Sequence, residues 1–127
     1  MPAASTPLCA SPEGIAAAGI TDGLLAVVKS SCPTCQEVAP VLADLADRAG
    51  LVAYTQEGTT FPADADWVVD DTDLSASWHL GLEAVPTLLR IADGAEIGRA
   101  EGWDRDRWEA VAGVDGLGPN LPPFKPG

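Results

Sequence analysis

The chain has 127 residues, of which 46% are hydrophobic and 20% charged, a balance that fits one globular domain and excludes wholesale disorder and collagen-like repeats. Seven basic residues stand against nineteen acidic ones, for a formal net charge of -12. Such a charge repels phosphate backbones and anionic lipid surfaces, so no nucleic acid and no membrane are expected as partners.

No apolar run reaches the about 20 residues of a membrane span, and the run that begins at Leu24 already stops at Lys29. Met1 to Pro7 lacks both a basic leader and an unbroken apolar stretch, so no secretory signal is visible and a cytoplasmic address is expected. In chain order, residues 1–10, with two prolines and no periodicity, are expected to form an extended N-terminal segment. Ser11-Pro12-Glu13 then offers a helix cap, a first-turn proline and a first-turn acid, and predicts a short helix ending at Gly19.

Asp22-Gly23 makes a turn before Leu24 to Lys29, whose apolar residues fit a strand buried on both faces. Val38, Val41, Leu42, Leu45 and Ala49 recur at helical intervals up to Gly50. Leu51 to Thr55 predicts a second strand, and Trp67 to Val69 a short third after a loop over 56–66. Asp73 is the expected cap of a helix running to Leu80, and Asp93-Gly94 the turn of a hairpin between Thr87–Ala92 and Glu96–Ala100. A helix over Asp104–Ala112 completes the set. The alternation is that of an α/β domain over 11–113 with a mixed central sheet flanked by helices. Residues 114–127, rich in Pro and Gly, are expected to be a tail or linker, which would make the chain the N-terminal module of something longer.

Three cysteines are too few and odd in number for a disulfide framework, so their spacing carries the information. Cys32 and Cys35 enclose two residues between a predicted strand and a predicted helix. That placement puts the first sulfur at a helix start, where free N–H groups and the helix dipole favour negative charge. Cys32 is therefore the expected nucleophile, and Cys35, one turn on, can attack a mixed disulfide formed there. Pro33 presets the first turn and gives up an N–H without a helical partner.

Ser31-Cys32-Pro33-Thr34-Cys35, Pro40 five positions after the second cysteine, and Val85-Pro86-Thr87 before the hairpin together resemble the thioredoxin-fold family. The likeness runs in element order from about Gly14 to Ala112. It implies a thioredoxin-like domain, a cis Val85-Pro86 bond facing Cys32, and a substrate chain held by Val85, Pro86, Pro33 and Thr34. It further implies a disulfide substrate, protein or small molecule, and an upstream dithiol as electron source, with no dissociable cofactor and no metal. Three departures stand out. Ser31 replaces the family's usual Trp, Pro33-Thr34 replaces Gly-Pro in the manner of glutaredoxins, and Ala26 replaces a buried Asp that assists proton transfer from the second cysteine. Either a water or a nearby acid such as Glu37 substitutes for that acid, or Cys35 loses its proton more slowly and exchange is slower.

Other readings of these residues remain open. Cys9, Cys32, Cys35 and His79 could together supply four zinc ligands, although Cys9 and His79 are distant singles. The pair could be inert on a scaffold used only for binding, or could belong to an electron-delivery domain docked to one enzyme. Cys9 alone is expected to be an incidental thiol, and His79 a helix-end residue. Trp67, Trp78, Trp103 and Trp108 are expected to be core and edge packing, and the acidic run from Asp64 to Asp73 a solvated face. The favoured expectation is a thiol-disulfide oxidoreductase, more reductase than oxidase.

Overall fold

The computed structural model describes residues 11–127; the extended segment expected over 1–10 and the role expected for Cys9 lie outside them. The chain opens with α1 (Pro12–Ala17), whose first turn is closed by the Ser11 hydroxyl accepting the Gly14 N–H at 3.0 Å. Then come β1 (Gly23–Val28), α2 (Pro33–Ala49), β2 (Val52–Thr55), β3 (Val68–Asp70), α3 (Ser75–His79), β4 (Thr87–Ala92), β5 (Ala95–Glu101) and β6 (Trp103–Asp104). The chain finishes with α4 (Arg105–Ala112) and β7 (Phe124–Lys125).

Five strands form one sheet in the order β3-β2-β1-β4-β5, parallel among the first three and antiparallel from β1 through β4 to β5. This is the α/β class with a mixed sheet flanked by helices, as the alternation of elements predicts. β1 lies at its centre because its side chains are apolar on both faces. Leu24, Ala26 and Val28 join the cluster under α2 and α4, while Leu25 and Val27 join the cluster under α1 and α3. Each large aliphatic side chain withdrawn from water in this way contributes about 1.5 to 3 kcal/mol. α2 presents Val38, Val41, Leu42 and Leu45 to the first cluster and ends at Gly50, whose φ of 67° suits a residue without Cβ.

Two boundaries differ from expectation. Asp73 is not the residue that directly precedes α3, since Leu74 stands there at a φ of 63°, but its carboxylate accepts the Ser75 N–H at 3.0 Å. The buried Asp71 shares that work, accepting the N–H groups of Ala76 and Ser77 and the Ser77 hydroxyl at 2.8, 3.0 and 2.6 Å. A carboxylate from the preceding loop reaches the helix start from the side, an arrangement that no local cap pattern records.

Residues 114–127 do not stand off as a linker. Leu117 is fully buried, and the Arg105 guanidinium donates to the carbonyls of Leu117, Gly118 and Leu121. The Trp103 indole donates to the Pro122 carbonyl at 2.7 Å, and β7 pairs antiparallel with β6. Prolines bar this segment from a central strand, yet their carbonyls still accept hydrogen bonds, and here the side chains of the fold supply the donors. Among the expected tryptophans, Trp103 and Trp108 are core and meet edge to face at 5.1 Å, whereas Trp78 is 78% exposed.

Candidate functional site

The site grows from the junction of β1 and α2. Pro33 takes the first helical position, and Cys32 caps the helix in an extended conformation, φ -83° and ψ 120°. Its sulfur accepts the Cys35 N–H at 3.3 Å, and its own N–H donates to the Lys29 carbonyl at 3.0 Å. The two cysteines approach to 3.1 Å without a bond between them. Sulfur is a weak acceptor, so this contact caps the helix less firmly than an oxygen would.

The turn that presents Cys32 is held from both sides. The Glu57 carboxylate accepts the Ser31 N–H at 3.1 Å and the Ser30 hydroxyl at 3.3 Å, while the Gln36 amide donates to the Ser30 carbonyl at 2.8 Å. These bonds from Ser31, assisted by the Lys29 charge and the Ser30 hydroxyl, hold the Glu57 carboxyl below its ordinary range. Neither Glu57 nor Gln36 was singled out from the sequence, because a glutamate in a long loop has no local mark of such a role.

Cys35 is fully buried in the apolar cluster that also contains Ala26. Burial pushes its thiol up strongly, and the hydrogen bond and charge of Cys32 push the same way. Glu37, an expected substitute for the missing acid, pairs through its carboxylate with the Lys125 ammonium on β7.

Opposite the pair, the Val85-Pro86 bond is cis, as the family resemblance implies, and Phe61-Pro62 is a second cis bond. The Cys32 thiol donates to the Val85 carbonyl at 3.5 Å, while the Thr87 hydroxyl donates to the Ala84 carbonyl at 2.6 Å and fixes the loop. Of the residues expected to hold substrate, Val85 therefore touches Cys32, Pro86 is buried behind it, and Pro33 is exposed beside it. Thr34 is buried and already engaged, its hydroxyl donating to the Pro126 carbonyl at 2.7 Å.

Pro126 belongs to the end of the segment that runs past β7, and this end lies on the site. A Cβ on Gly127 would collide with the Val85 carbonyl oxygen, and one on Gly102 would stand 2.9 Å from the Gly127 nitrogen. Gly102 also has a φ of 69° and donates its N–H to the Pro86 carbonyl at 2.8 Å, so both the conformation and the close approach require glycine. Sequence composition hid this contact, which joins residues far apart in the chain.

His79 ends α3 with its ring edge to face on Trp78 at 5.1 Å, away from any cluster of ligands. Among the described residues no three or more His, Cys, Asp or Glu side chains converge as a metal site, the acidic residues from Asp64 to Asp73 included. No helix among them is long and apolar enough to cross a membrane. No protein-family model matches the chain, and no curated protein matches it.

Proposed function

We propose that this chain is a thioredoxin-like thiol-disulfide oxidoreductase working as a reductase, with Cys32 as nucleophile and Cys35 as resolving thiol. The observation that carries this reading is the Cys32 sulfur capping α2 within 3.1 Å of Cys35 and against the Val85 carbonyl.

In the first step the Cys32 thiolate attacks one sulfur of a disulfide R–S–S–R′. A Cys32–S–S–R bond forms as the R–S–S–R′ bond breaks, and R′–S⁻ leaves and takes a proton from water. Cys35 then gives up its proton and attacks the Cys32 sulfur, forming the Cys32–Cys35 disulfide and releasing R–S⁻, which is protonated. Two electrons pass from the dithiol to the substrate, and an external dithiol returns the protein to its starting state. The second step is the harder one, because burial keeps Cys35 protonated and no acid stands at Ala26 to receive its proton.

The decisive experiment is the Cys35→Ser variant, which halts the sequence after the first step. Mass spectrometry is expected to find substrate disulfide-linked at Cys32 in that variant and nothing in Cys32→Ser. Capture in neither variant, with Cys32 open to alkylation, would exclude exchange chemistry.

A further inference from the structure

The Val85 carbonyl oxygen is touched from two directions. The Cys32 thiol reaches it from α2, and the Gly127 backbone lies against it from the C-terminal segment. That segment is fastened at four kinds of contact: the Arg105 clasp, the Trp103 indole on Pro122, the β6–β7 pairing, and the Lys125–Glu37 pair beside the Thr34–Pro126 bond. It therefore acts as a strap across one flank of the cysteine pair. A groove of about 190 Å³ is bounded by Lys29, Gln56, Leu82, Glu83, Ala84 and Val85, with neither a cysteine nor a strap residue in its walls. Lys29 and Val85 are also the two residues whose carbonyls hold Cys32.

A disulfide embedded in a polypeptide brings chain to both sides of the attacked sulfur, whereas a low-molecular-weight disulfide needs room on one side only. Resting on the exchange chemistry proposed above, we infer that the strap makes this protein selective for small disulfides, which reach Cys32 through the Lys29–Gln56–Val85 groove. A polypeptide disulfide reacts only in the molecules whose strap has lifted. The groove supplies a cation at Lys29, an anion at Glu83 and an amide at Gln56. The Gln56 side-chain N–H donates to the Ser77 hydroxyl at 2.8 Å, and its oxygen is thereby turned away from that contact. Such a lining suits a zwitterionic disulfide of amino-acid or short-peptide character.

The test compares single-turnover reduction of bis(2-hydroxyethyl) disulfide, cystine and insulin by prereduced full-length protein in a Cys9→Ser background. Each rate is referred to exchange of the same disulfide with dithiothreitol. The expected preference for the small disulfides over insulin is on the order of tenfold, since the insulin rate scales with the fraction of open straps. Lys125→Glu sets two carboxylates against each other and is expected to raise the insulin rate about fivefold with the small-disulfide rates unchanged. The charge-swapped pair Glu37→Lys with Lys125→Glu restores the preference. An equal preference in all three proteins, or none in the parent, overturns the inference while leaving exchange chemistry intact. Failure of every protein to reduce any disulfide overturns the exchange reading instead. In that case alkylation of Cys32 by iodoacetamide against a polyethylene-glycol maleimide still reads the strap, with Lys125→Glu expected to favour the bulky reagent.

Discussion

The starts of α2 and α3 meet the same demand with opposite results. At α3 the free N–H groups fall to Asp71, 2% exposed, whose two oxygens accept three hydrogen bonds between 2.6 and 3.0 Å. At α2 they fall to Cys32, half-buried, whose single sulfur accepts one N–H at 3.3 Å. A small, hard anion that saturates its donors and is sealed from water becomes structure. A large, soft atom that accepts one long hydrogen bond and stays within reach of solvent is open to attack chemistry, which is what the proposed function needs. On the reading proposed above, saturation and exposure, rather than the helix dipole common to both, separate the structural cap at α3 from the proposed nucleophile at α2.

The largest effect that would sharpen this contrast is on chemistry. Cys32→Ser is expected to lower disulfide reduction by about a thousandfold or more while circular dichroism and melting temperature stay near those of the parent, since a hydroxyl still caps α2. A variant that retained activity would place the nucleophile elsewhere. Asp71→Ala should show the reverse pattern. It leaves the N–H groups of Ala76 and Ser77 and the Ser77 hydroxyl without their acceptor, and urea unfolding is expected to show a loss of about 2 to 4 kcal/mol with unchanged activity per folded molecule.

Cys35 gives the next effect, read through pH. Its folded thiol is raised above the ordinary value of 9.0 by burial first and by Cys32 second. The unfolded chain therefore releases that proton earlier than the folded one. The contribution to stability is whole below pH 9.0 and is lost above it with a slope of up to about 1.4 kcal/mol per pH unit. Denaturation of the reduced protein from pH 8 to 10, compared with Cys35→Ala, measures it. Release of product from the mixed disulfide should over the same range accelerate with pH and show no plateau. Glu57→Gln carries the smallest effect. Its loss of charge loosens the Ser30-Ser31 turn and is expected to slow the first step only a fewfold. In the parent, whose Glu57 is held low, that step should keep its rate through the ordinary carboxylate range and fall only at more acid pH.

The parts of this molecule legible in its sequence are those where local chemistry and burial agree. β1 was visible because a central strand must be apolar on both faces, and α2 because its buried residues recur at helical spacing up to Gly50. The two cysteines were legible as a pair because two residues between them at a helix start bring them together, here to 3.1 Å. What escaped is carried by partners remote in sequence. Asp71 and Asp73 look alike in composition; both accept N–H groups at the helix start, and only the fold buries Asp71 there with three hydrogen bonds. Trp78 stands between Ser77 and His79 on a five-residue helix too short to define a face, and it is 78% exposed. The proline-rich end read as a linker because its internal pattern is that of one. Its place is set by Arg105, Trp103 and Thr34, whose donors a reader of the last residues alone would never count.

The indole of Trp103 gives the strap an optical gauge. Its N–H is bonded to the Pro122 carbonyl, its ring lies 2.9 Å from where a Cβ on Gly118 would sit, and only 1% of the residue is exposed. Trp108 donates instead to the Gly102 carbonyl at 2.8 Å, which is not part of the segment. With the exposed Trp78 changed to Phe to remove its background, lifting of the segment should appear as a red shift and partial quenching of emission by iodide. The opening of a few residues over a reactive sulfur can thus be followed in time, in solution, without attaching a dye.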